Sequence, residues 1–198
     1  MIVENPTRIT THELLNLATS AKGSIKRIFL HWTAGHYSQY FDDYHLNIDR
    51  NGELYCTCHS LTEKKPHTWQ RNTGSIGVTL CCAYNAQFNG SKPNLGAEPP
   101  TPQQLRSMAW VIAFLCLGLE LPIDYEHVTT HAEIAIKDHY GPFSGDNDLR
   151  WDLYTLPDIE GDVNIYRPGG AMLRELTKKC VASLRPKDSS RLQMPLLV

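Results

Sequence analysis

The strongest periodicity in the chain lies between Thr101 and Leu119. Leu105, Met108, Ala109, Ile112, Leu115, Cys116 and Leu119 recur at helical spacing, and Pro122 follows. Thr101-Pro102-Gln103-Gln104 opens this run with a capping threonine, a proline at the first helical position and a glutamine three residues after the cap. A second, shorter helix is predicted after Thr10. The Thr10-x-x-Glu13 pair forms a capping box, Leu14, Leu15, Leu17 and Ala18 supply the apolar stripe, and the helix stops near Gly23. A final helix is predicted from about Gly170 to Leu184.

Strands are read from shorter runs. Ile28-Phe29-Leu30 is compact, apolar and of high β propensity, and it leads into the polar mouth His31-Trp32-Thr33-Ala34-Gly35. His45–Asp49 and Glu53–Thr57 flank Arg50-Asn51-Gly52, a hairpin signal. Ser75–Ala83 is apolar on both faces and predicts a central strand. Tyr84–Pro100, rich in Asn, Gly and Pro, predicts a long loop, and Glu126–Thr130 a short strand followed by a loop to about Asp148. Strands alternating with helices, plus one hairpin, predict an α/β fold: one domain over residues 1–185, with a mixed central β-sheet flanked by α-helices. Residues 186–198 read as a loose tail.

Composition narrows the function. A chain of 198 residues with 41% hydrophobic content can bury one core. Its formal net charge of −2 provides no basic field for nucleic acid. The longest apolar stretch, Met108–Leu121, is too short to insert in a membrane. The N-terminus lacks the basic start and apolar middle of a secretory signal, so the expectation is synthesis in the cytoplasm. None of the six cysteines forms a CxxC pair, and all six are expected to be reduced. No Gly-rich phosphate loop follows a strand, which leaves nucleotide binding unsupported.

The chemistry gathers around histidines. His31 and His131 each end a predicted strand, where open α/β sheets place their sites. Two such imidazoles with one carboxylate would give the three-ligand zinc site of a hydrolase, its fourth position open to water. The loop Tyr140–Asp148 offers two carboxylates for it.

Five segments then occur in a telling order: HWTAG (31–35), DYHLNIDRNGELY (43–55), PHTWQRNTGSIGVTL (66–80), THAE (130–133) and GDNDLRWDL (145–153). Together they resemble the type 2 N-acetylmuramoyl-L-alanine amidases, a family that includes phage amidase-type lysozymes, anhydro-muropeptide amidases and peptidoglycan recognition proteins. The resemblance spans roughly residues 25–155. It implies the peptidoglycan-recognition, amidase-like fold, a Zn²⁺ cofactor, and a peptidoglycan or muropeptide substrate cut between N-acetylmuramic acid and L-alanine.

Residue by residue, the resemblance implies His31 and His131 as metal ligands. Counting back five residues from Trp151 makes Asp146 the third ligand. The shorter register of phage lysozymes gives Asp148 instead. Tyr44 matches the family tyrosine beside the metal, suited to donate a hydrogen bond to an oxyanion. Glu133, two residues after His131, is a candidate to orient a ligand, and Lys137 matches a phage lysozyme lysine by spacing. His67 matches a histidine lining the cleft, a substrate contact. His45, next to Tyr44, should face the other way in an extended segment. A compact domain without a signal suits a monomeric phage or prophage endolysin that reaches the cell wall after release. A muropeptide-recycling amidase, a non-catalytic peptidoglycan-binding module and a metallopeptidase of the stem peptide are the alternatives.

Overall fold

The computed structural model describes residues 1–88, 93–143 and 149–184. In chain order the elements are β1 (Ile2–Val3), β2 (Thr7–Arg8), α1 (Thr11–Ser20), β3 (Arg27–Trp32), β4 (Tyr40–Phe41), β5 (Leu46–Ile48), β6 (Leu54–Cys56) and β7 (Ser75–Leu80). They continue with α2 (Pro102–Leu119), β8 (Val128–Thr130), α3 (His131–Lys137), β9 (Thr155–Pro157), β10 (Tyr166–Pro168) and α4 (Gly169–Leu184). The tail expected over residues 186–198 lies outside the described residues.

Six strands form one mixed sheet in the order β2-β6-β5-β7-β3-β8. The β5–β7, β7–β3 and β3–β8 pairs are parallel, whereas β2–β6 and β5–β6 are antiparallel. The α/β architecture expected from the sequence is therefore present. Two ribbons, β1–β4 and β9–β10, lie outside that sheet. Their two- and three-residue strands are too short to show a period.

Local chemistry sets the helix starts. The Thr10 and Thr101 side chains accept from the backbone N–H groups of Glu13 and Gln104, and both capping boxes close. The α2 helix ends on Glu120 in the left-handed region, two residues before Pro122. In the hairpin, Asp49 Oδ1 accepts from Asn51 N at 2.9 Å and Glu53 N at 2.8 Å, while Gly52 takes φ +85°. A third capping box explains a departure from the sequence reading. Thr130 and Glu133 cap each other, so the stretch after β8 is not loop but begins helix α3 at His131.

One face of the sheet joins the helices. Ile28, Leu30 and Trp32 of β3, Leu46 and Ile48 of β5, and Ile76, Val78 and Leu80 of β7 share a core with α1, α2 and α4. Each fully buried Leu or Ile there contributes roughly 1.5–3 kcal/mol. The central position of β7 is as expected, and all six of its residues are buried. Its second face is not apolar, however: it carries Ser75, Gly77 and Thr79. These small residues leave room for the polar layer described next. The six cysteines are free thiols. No helix among the described residues is long and apolar enough to cross a membrane.

Candidate metal centre

Alternation along β3 turns Phe29 and His31 away from the helix-packed face. Parallel pairing with β8 sets Leu30 opposite Thr130. The residue after each of these is a histidine, so the register itself brings His31 and His131 together. Their ring centroids lie 4.7 Å apart at 69°. His131 holds this place as the first residue of α3 rather than as the last of a strand.

The third member is Asp152. Its Oδ2 lies 3.3 Å from His31 Nδ1 and 3.3 Å from His131 Nδ1. Trp151 fixes it there by packing edge-on against Trp32, at the end of β3, with centroids 4.7 Å apart. Asp152 O also accepts from Ala132 N in α3. Among the described residues, His31, His131 and Asp152 form the group able to hold a metal ion.

The spacing fits a zinc ion. Zinc–ligand bonds of about 2.0 Å in a tetrahedron place neighbouring donor atoms about 3.3 Å apart. His131 Nε2 is buried without a hydrogen-bond partner among the described residues, so His131 is held by its contacts at Nδ1. Burial pushes His31 down to about 4, against the pull of Asp152. Burial alone would raise the Asp152 carboxyl, but His131 and His31 outweigh it and hold it well below the carboxylate range. At neutral pH His31 is therefore neutral and Asp152 ionised, the states a metal ligand must have.

Tyr44 stands beside this group, its ring 5.0 Å from that of His31. Burial, then the Asp152 and Asp43 charges, raise its phenol well above the ordinary value, and the Thr79 hydroxyl hydrogen-bonds to it. It is a protonated donor at any physiological pH. His67 is buried rather than lining an open cleft, with its ring 5.5 Å from His31. Burial first, and then the neighbouring histidines, push it down to about 2. Tyr44 and His45 lie in a bend before β5 rather than in the extended segment the alternation assumed, and His45 is buried beside His67, their rings 5.6 Å apart. Gly77 N donates to His45 Nδ1 at 3.0 Å, and His45 Nε2 faces Glu63 O at 2.8 Å.

Two other expected site residues are engaged elsewhere. Glu133 closes the α3 capping box and pairs with Arg174 of α4 through both oxygens, each 2.8 Å from a guanidinium nitrogen. A Cβ on Gly170 would stand 2.2 Å from the Glu133 carboxylate, so only glycine admits this bridge. Lys137 is exposed, 3.5 Å from Glu126 and over the Tyr125 ring. Asp146 and Asp148 lie outside the described residues.

The Glu133–Arg174 bridge gives a stability prediction. Glu133→Gln should cost about 1–3 kcal/mol, because it leaves a mostly buried guanidinium without its charge partner. Thermal melting should fall by several degrees while bound metal stays unchanged. Loss of metal with unaltered melting would give Glu133 a role at the ligands instead.

Beyond the pair, Tyr140 lies 6.4 Å from His131 and meets the exposed Trp69 edge-on at 5.4 Å. Trp69, Gln70, Arg71 and Asp138 line a polar depression of about 430 Å³. The Arg71 guanidinium and the Asp138 carboxylate pair within it, at 2.5 and 2.6 Å. The site is thus a buried donor cluster at the sheet edge, with aromatic and charged groups beside it.

Comparison with protein families finds that residues 21–144 match the model of N-acetylmuramoyl-L-alanine amidase. No curated protein matches the chain. The match ends before Asp152, so the third member of the cluster is placed by geometry alone.

Proposed function

The chain belongs to the N-acetylmuramoyl-L-alanine amidase family, hydrolases of peptidoglycan amides, and from that premise we propose that it is a zinc enzyme whose metal is held by His31, His131 and Asp152. The observation that carries the reading is the approach of two Nδ1 atoms to one Asp152 oxygen at tetrahedral-edge distance. Asp152 thereby takes the part that counting along the sequence assigns to Asp146 or Asp148. The bond cut is the amide joining N-acetylmuramic acid to L-alanine.

A zinc ion bound there would lower the pKa of water and polarise the scissile carbonyl. The rest of the work falls to side chains. With one carboxylate among its three ligands, the site keeps a net positive charge toward a developing oxyanion. Tyr44, held protonated by burial and by the Asp152 charge, donates a hydrogen bond to that oxyanion.

Retention of a complete donor set favours catalysis over a module that only binds peptidoglycan. On its resemblance to phage amidase-type lysozymes, the setting is lysis of a cell wall by an endolysin. Digestion of purified peptidoglycan, followed by mass analysis, tests both points. Release of free stem peptides with an L-alanine N-terminus, from intact sacculi as readily as from soluble muropeptides, is expected. Turnover of soluble muropeptides alone would favour the recycling role. Cleavage within the stem peptide, or tight binding without products, would contradict the amidase reading.

A further inference from the structure

The buried layer behind His31 has a direction. The Ser75 hydroxyl donates to the Arg71 carbonyl oxygen at 2.8 Å. Its one hydrogen is committed there, so toward His67 Nε2, 3.4 Å away, Ser75 can only accept. His67 Nε2 therefore carries the proton, and His67 Nδ1 is an acceptor. Thr68 Oγ1, 3.0 Å from that Nδ1, must donate to it. With its hydrogen so directed, Thr68 Oγ1 accepts from His31 Nε2 at 3.3 Å. A neutral imidazole has one N–H, so the His31 Nδ1 lone pair is left facing Asp152 and His131.

The opposite tautomer leaves a buried acceptor without a donor at the far end. If His31 Nδ1–H donated to Asp152, every donor in the row would reverse. The single Ser75 hydrogen would then have to serve both the Arg71 carbonyl and His67 Nε2. The row is also locked sterically. Thr68 is fully buried, and a Cβ on Gly77 would stand 2.6 Å from His67 Cγ. Thr68 N donates to Asn72 Oδ1 at 2.7 Å, which holds the turn independently of the hydroxyl.

We propose that Ser75, His67 and Thr68 form a hydrogen-bond relay that fixes His31 as its Nε2–H tautomer and so presents Nδ1 to the metal before the metal arrives. This rests on the zinc reading of the site. Thr68 and His67 are then positioning residues: they act through His31 and need not touch substrate. Outer partners of this kind typically contribute about 10- to 100-fold to metal affinity.

The test reads tautomers and zinc affinity rather than turnover. Long-range proton–nitrogen NMR of the metal-free wild type should show His31 and His67 both protonated at Nε2. Competition with a chromophoric chelator should show zinc binding about 10- to 100-fold weaker in Thr68→Val and within a few-fold of wild type in Thr68→Ser. His31 protonated at Nδ1 in the metal-free wild type would overturn the relay, as would Thr68→Val binding zinc as tightly as wild type. The wild-type spectrum needs no substitution, so an unstable Thr68→Val protein leaves the test intact. A wild type that binds no zinc would overturn the site reading, and the relay with it.

Discussion

Replacing Asp152 with Asn, or His131 with Ala, is expected to strip the protein of zinc and reduce amidase activity to background. Asp152→Asn keeps the size of the side chain but removes the charge that two imidazoles share. The effect on zinc affinity should exceed the roughly 10- to 100-fold typical of an outer partner, because a donor to the metal itself is lost. His31→Ala should behave alike, with some loss of stability, since His31 is fully buried and its removal leaves a cavity. Asp146→Asn and Asp148→Asn serve as controls and should retain zinc. Chelation should lower the melting temperature of the wild type but not of Asp152→Asn, because a ligand that binds only the folded state stabilises it by mass action. Full zinc in Asp152→Asn together with loss in Asp146→Asn would restore the assignment made by counting from Trp151.

The second large effect is expected at Tyr44. Its phenol lies beside His31 but outside the donor cluster, and burial keeps it protonated. If it stabilises the oxyanion, it acts chiefly in the transition state, so Tyr44→Phe should lower kcat more than it raises KM. Loss of one such donor typically costs about 100- to 1,000-fold in kcat. Phenylalanine preserves the ring and its packing, and zinc content should not change. Turnover within a few-fold of wild type, with zinc retained, would make Tyr44 a packing residue only.

The elements legible in the sequence are those whose cause is local. The capping boxes at Thr10 and Thr101 and the Asn51-Gly52 turn are each decided within four residues, and the structure reproduces them. Helix α3 carries the same signature at Thr130 and Glu133, but it is only 7 residues long and its first turn coincides with the THAE motif. Reading that motif for a ligand hides its capping chemistry. The convergence of His31 and His131 is legible because His31 lies at the end of β3 and His131 directly after β8, and the β3–β8 register completes it. Asp152 is not, because its position depends on Trp151 packing against Trp32, a contact across more than a hundred residues. A signal was nonetheless present: an acid between Trp151 and Leu153, both buried, is held at the edge of a core. The row through His67 and Thr68 joins a loop to two strands and leaves no mark on periodicity.

Anomalous diffraction at the zinc edge from crystals of zinc-loaded protein reads the coordination set most directly. A single peak is predicted, bonded at about 2.0–2.1 Å to Nδ1 of His31, Nδ1 of His131 and one carboxylate oxygen of Asp152. A peak completed by Asp146 or Asp148 in place of Asp152, or no peak between the two histidines, would contradict it.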